Sequence, residues 1–219
     1  MPNQLSPVTT TSSRLEKFLA KIDPVRGRII FALDATASRQ PTWDTAAKLQ
    51  REMFEAVSTI GGLDVQLVHY SASRCVASRW LADAGTLADT MAAVTCAAGN
   101  TQIGKVLAHA RKENARETVN ALIIVSDACE ETPHDLYAEA RELGAPVFMF
   151  QEGDDDRVAG IYAEIARLTG GAVAKFDSTA AQRLADLLRA VASFAVGGLK
   201  ALAAQKTDAA TLLLTQIKR

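Results

Sequence analysis

RIIFALDATAS, residues 28–38, decides the fold. Residues 29–33 form an unbroken apolar run without polar alternation, the pattern of a strand covered on both faces. The run stops at Asp34, and small and hydroxylated residues follow, as in a turn. A second run of the same kind, ALIIVSDA (121–128), also ends in an aspartate, Asp127. Two such strands bring both carboxylates to one edge of a parallel sheet, where ligands bind in open α/β folds.

Working outward, DVQLVHY (64–70) and CVASRW (75–80) read as two strands joined by the short SASR connection, close enough to pair as a hairpin. Further strands are expected at 145–150 and 172–176. Helical periodicity fills the gaps, at 42–60, from 85 or 86 to 94, from 101 onward, at 134–143, at 155–168 and from about 179. Strands alternating with helices of this length indicate βαβ units and right-handed crossovers. The expected fold is α/β: a doubly wound, mostly parallel six-stranded sheet with one antiparallel edge strand and helices on both faces.

The ends read differently. Residues 1–13 are expected to be a flexible leader, followed by a short helix to about residue 22, with the main domain over 14–190. A helical extension is expected over 191–219, with a kink at Gly197 and Gly198 and a second amphipathic piece from about Thr207. This extension has an apolar stripe that would cover either its own domain or a partner.

Composition narrows the function. The 219 residues carry 24 basic and 25 acidic side chains, a net charge of -1, so the basic footprint of a nucleic-acid binder is missing. The hydrophobic fraction is 48% and mean hydropathy is +0.05, enough for one well-buried core. Cys75, Cys96 and Cys129 are far apart and lack zinc spacing, so they read as buried free thiols. The first 13 residues do not resemble a secretory signal, and AVASFAVGGL (190–199) is too short to span a bilayer, which takes about 20 residues. A cytoplasmic protein is expected.

GNTQIGKV (99–106) approaches a phosphate-binding loop, but Val106 stands where the magnesium-binding hydroxyl belongs, and the segment follows a helix, where such a loop follows a strand. A different use of the stretch fits better. Asp34, Thr36 and Ser38 alternate along one turn and can present a carboxylate and two hydroxyls to a common point. Thr101 lies at a loop–helix junction, and Asp127 ends the second apolar strand. Oxygen donors of this kind suit a hard dication such as Mg²⁺, Mn²⁺ or Ca²⁺. Equally, Thr36, Ser38 and Thr101 fit ordinary turn and helix-cap duties. Glu130 and Glu131, just beyond Asp127, could strengthen cation binding but are rather expected to face solvent; the aspartates at 154–156 are expected to cap the following helix, a second cation being the alternative.

The set DATAS (34–38), GNTQIG (99–104) and VSDA (125–128) resembles the metal-ion-dependent adhesion site of von Willebrand factor A domains. The resemblance runs from about residue 28 to the helix after Asp177. It departs from the family pattern at Thr36, where serine is usual, and at Ala128, where glycine is common. It implies that Asp34, Thr36, Ser38, Thr101 and Asp127 are the metal ligands. It further implies a module that binds protein through a metal, with a partner's carboxylate completing the coordination. Intracellular members work in larger assemblies, including with AAA-type ATPases, and an adaptor role of that kind is the expectation. No catalytic residue is assigned.

Two other readings stay open. A metal-dependent hydrolase or phosphoryl-transfer enzyme would use the same sheet edge. However, Thr36 occupies the position where haloacid-dehalogenase-type sites need a second aspartate, and no general base is evident. A structural module without an occupied metal site is the other.

Overall fold

Alternate residues of the first strand, β1 (Arg26–Asp34), enter different cores. Ile29, Phe31 and Leu33 pack on one face of the sheet, and Ile30 and Ala32 on the other, all of them buried. This is why the run has no polar alternation: there is no solvent face. The computed structural model describes residues 26–35, 61–71, 74–96, 99–177 and 181–217, with Asp44, Ala46, Glu55 and Ala56.

The remaining strands are β2 (Gly62–Ser71), β3 (Arg74–Leu81), β4 (Ala121–Ser126), β5 (Val147–Glu152) and β6 (Ala172–Phe176). Their order is β3-β2-β1-β4-β5-β6, with β3 antiparallel at the edge and every other pair parallel. The doubly wound sheet with an antiparallel edge strand is therefore present as the alternation of elements implies. The order reverses between β1 and β4, whose neighbours lie on opposite sides, and a crevice forms at such a switch point.

The helices are α1 (Ala84–Ala92), α2 (Ile103–Arg116), α3 (Pro133–Leu143), α4 (Asp156–Thr169), α5 (Ala181–Ala204) and α6 (Asp208–Ile217). One face of the sheet carries α2, α3 and α4, which contribute Val106, Leu107, Leu136, Ile161 and Ile165 to its core. The other carries α1, α5 and α6, with Leu87, Leu184, Leu188 and Leu213. Asp44, Ala46, Glu55 and Ala56 are helical, inside the stretch expected as helix at 42–60. The leader, the short helix after it, Thr36 and Ser38 lie outside the described residues.

Helix α5 passes through residue 190 without a break and bends where Gly198 takes the left-handed φ of 62°. Its 24 residues are long and apolar enough to cross a membrane by length and composition alone, which the shorter 190–199 run was not. In the fold, however, its inner stripe is packed on the sheet, and Phe194 meets Phe148 of β5 edge to face at 5.4 Å. The terminal piece covers its own domain: Ala209, Ala210 and Leu213 of α6 are buried in the same core. The Gln216 side-chain amide also donates to and accepts from the backbone of Val173 at 2.9 Å each. That pairing satisfies the free edge of β6 much as another strand would.

Candidate functional site

A row of buried polar side chains crosses the carboxyl ends of four neighbouring parallel strands. Asp34 of β1 pairs in register with Tyr70 of β2, and Ser126 of β4 with Gln151 of β5. Ser126 Oγ reaches Asp34 Oδ2 at 3.3 Å, closing the row between β1 and β4. All four are essentially inaccessible: Asp34 retains 1% of its surface, the others none. Strand parity explains the arrangement, because each residue follows apolar neighbours that face the α2–α3–α4 side.

Burying a carboxylate is unfavourable unless hydrogen bonds or an opposite charge compensate it. The Ser126 hydroxyl is a shared donor, with the carbonyl of Ala128 also 3.3 Å away. The Tyr70 hydroxyl is buried without a hydrogen-bonding partner among the described residues. Its ionisation is pushed far up, first by burial and next by the charge of Asp34. Tyr162 of α4 donates to the carbonyl of Ala128 at 2.7 Å, and burial raises its pKa as well. Both phenols are thereby held neutral near an acidic centre.

Thr101 and the loop after β4 form the second half of the site. Thr101 is 2% exposed, and both its N–H and its hydroxyl donate to one oxygen of Glu130, Oε2, at 3.0 and 2.6 Å. Glu131 accepts from the N–H groups of Ile103 and Gly104 at the start of α2, at 2.5 and 2.8 Å. Glu131 is half-buried, which corrects the expectation that it faces solvent, whereas Glu130 is exposed as expected; both carboxylates nevertheless hold the Thr101 loop. Helix α2 starts at Ile103, two residues later than expected, and Gln102 provides no side-chain cap. Glu131 takes over that duty from another loop.

Electrostatics matches this picture. Burial pushes the Glu131 carboxyl up, with the two helix N–H groups opposing it. Burial pushes Glu130 up too, but the two bonds from Thr101 outweigh it and its pKa is lowered. Gly104 has the room this needs: a Cβ there would stand 3.0 Å from Glu131 Oε1 and 3.5 Å from Leu136 Cδ2. Val106 is fully buried in the core, whereas Lys105 is exposed, as expected of a stretch that is not a nucleotide loop.

Of the five predicted ligands, Asp34, Thr101 and Asp127 are described. Asp34 ends β1, Asp127 directly follows the neighbouring β4, and the Glu130 carboxylate ties Thr101 to the Asp127 loop. Ser126 and Tyr70 are the residues that sequence reasoning missed as neighbours of Asp34. Their signal was parity, since each lies on the same strand face as an apolar residue two positions earlier. Among the described residues no group of three or more His, Cys, Asp or Glu side chains is arranged to hold a metal. The described donors nonetheless have the chemistry a hard dication takes: oxygen only, a buried carboxylate, and a hydroxyl whose proton is directed away.

Elsewhere the acidic stretch at 154–156 behaves as a cap. Asp155 accepts from the N–H groups of Arg157 and Val158, at 2.8 and 3.1 Å. Asp154 and Asp156 lie 3.7 and 3.4 Å from Lys175. Cys129 is a buried free thiol, while Cys75 and Cys96 are half-buried.

No family model and no curated protein matches the sequence. Solved structures do. The chain is similar to a von Willebrand factor type A protein from Catenulispora acidiphila, with TM-score 0.65, 17% identity, and coverage of 78% of this chain and 43% of that one. It is similar to BatB from Bacteroides thetaiotaomicron, with TM-score 0.56, 18% identity, and 73% and 95% coverage. It is also similar to proximal thread matrix protein 1 of the mussel byssus, a structure with a zinc-occupied MIDAS motif, with TM-score 0.54, 17% identity, and 78% and 46% coverage. The chain spans less than half of the first and third of these. At such identities the likeness carries the fold: it is the fold of von Willebrand factor A domains.

Proposed function

We propose that this chain is a divalent-cation-dependent protein-binding module. Asp34, Thr36, Ser38, Thr101 and Asp127 hold the cation, Mg²⁺, Mn²⁺ or Ca²⁺, and a carboxylate from a protein partner completes its coordination. The cation supplies an electrophilic centre that an acidic side chain of the partner can reach. The observation that carries this reading is Asp34, a carboxylate buried at the switch point between β1 and β4 in a row of buried polar side chains. A buried acid in such a place favours a positive counterion.

The mussel structure, whose MIDAS motif holds zinc, supports a divalent cation as the bound ion, since it shares this fold. The role is that of a cytoplasmic adaptor or assembly component, with an AAA-type ATPase as one candidate partner class, and without catalysis. The test is affinity purification from the native cell in magnesium, with chelator and with the Asp34→Ala variant in parallel. The proposal expects a partner captured only by wild type with magnesium. A partner held equally in all three, or phosphoester hydrolysis that depends on Asp34, contradicts it.

A further inference from the structure

We infer that Glu130 is a positioning residue for the cation site, acting through the hydroxyl of Thr101. This rests on the metal-dependent reading above and adds a residue that the ligand pattern does not contain. A threonine hydroxyl has one proton and two lone pairs, and it can ligate a cation only when its proton points elsewhere. Glu130 Oε2 takes that proton in a 2.6 Å bond, short and charge-assisted. The same oxygen takes the Thr101 N–H at 3.0 Å, which fixes the backbone as well as the rotor. The N–H of Glu130 faces Thr101 Oγ1 at 3.4 Å, a long contact that leaves the oxygen able to donate a lone pair.

Outer residues that orient metal ligands in this way commonly change metal affinity by about 10–100-fold. Glu130 itself is exposed, yet one of its carboxylate oxygens reaches a nearly inaccessible threonine. Ser126 stands in the same relation to Asp34, donating toward its carboxylate. Ser126 ends β4 and Glu130 lies in the loop that follows, so one segment contacts proposed ligands from two others.

The experiment is calorimetric titration of the full chain with Mn²⁺, using Glu130→Ala, Glu130→Gln, Thr101→Val and the Thr101→Val/Glu130→Ala double variant. Thermal unfolding without metal checks that each remains folded. Glu130→Ala is expected to weaken Mn²⁺ binding about tenfold. Glu130→Gln retains most of the affinity, because one amide oxygen can accept both Thr101 bonds. In the Thr101→Val background, Glu130→Ala has no further effect, which a general structural role would not produce. Glu130→Asn, too short to reach Thr101, gives the same expectation should the alanine variant not fold.

Three results overturn the inference. Affinity unchanged in Glu130→Ala, beside an Asp34→Ala variant that binds nothing, removes the role of Glu130 and leaves the metal site standing. An equal loss in both Thr101 backgrounds shows that Glu130 does not act through the hydroxyl. Wild type that binds no Mn²⁺, or binds it as Asp34→Ala does, removes the metal site and the role of Glu130 together.

Discussion

Glu131 caps a helix 27 residues away in sequence: its Oε1 accepts the N–H of Gly104 at 2.8 Å, in the space that a side chain at 104 would need. This contact joins the loop after β4 to the start of α2 and makes the Thr101 loop part of the site. Glu131→Ala leaves the Ile103 and Gly104 N–H groups without their partner and is expected to lower stability by about 1 kcal/mol, the usual loss for a helix cap. Glu131→Gln, with a single acceptor oxygen, falls between the two. Urea unfolding measures both; equal midpoints for all three proteins would show that the cap carries no stability.

Val106→Thr restores the hydroxyl of a phosphate-binding loop by composition. In this fold the residue is fully buried in the core, so the added hydroxyl is desolvated without a designed partner. The expected result is a loss of about 1–3 kcal/mol and no binding of a fluorescent ATP analogue. Nucleotide binding by this variant would revive the phosphate-loop reading.

The C-terminal helices can be tested through two leucines. Leu213 is fully buried against the sheet, whereas Leu199 is 41% exposed. Leu213→Ala should cost about 2–5 kcal/mol, and Leu199→Ala less than about 0.5 kcal/mol. Similar values for the two would mean that α6 does not belong to this core in solution.

His69 and His109 give the pH dependence. Burial lowers the pKa of both; at His109 the Glu113 charge opposes this and Lys112 and Arg116 add to it. The folded chain therefore favours neutral imidazoles, while the unfolded chain protonates near the ordinary value of about 6.5. Their contribution is complete above that pH and declines as pH falls through the lowered folded values. Melting temperature should drop between about pH 7.5 and 5, and His109→Gln, which can keep the contact to Gln66, should flatten the decline. A wild-type slope unchanged in this variant would assign the loss to other groups.

Most of the fold was legible because burial on both faces leaves a signature in the chain itself. Residues 29–33 and 121–125 could only be central strands, and the short connection before Arg74 announced the antiparallel edge. Asp34 and Asp127 were legible for the same reason, since a carboxylate ending such a run has one edge to occupy. Glu130 and Glu131 were not. Their partners lie 27 to 29 residues earlier, and the contacts depend on how two loops meet across the sheet, which no local period records. Helix α5 and its bend were legible too, because an apolar stripe continues from the helix expected at about 179 through to Leu202, past Gly197 and Gly198.

The central claim is that Asp34 anchors a divalent cation in a folded domain, and calorimetric titration of wild type and Asp34→Ala with Mg²⁺, Mn²⁺ and Ca²⁺ tests it most directly. The account predicts saturable binding of at least one of these ions by wild type, none by Asp34→Ala, and cooperative thermal unfolding of both proteins. Equal binding by the two folded proteins would contradict it.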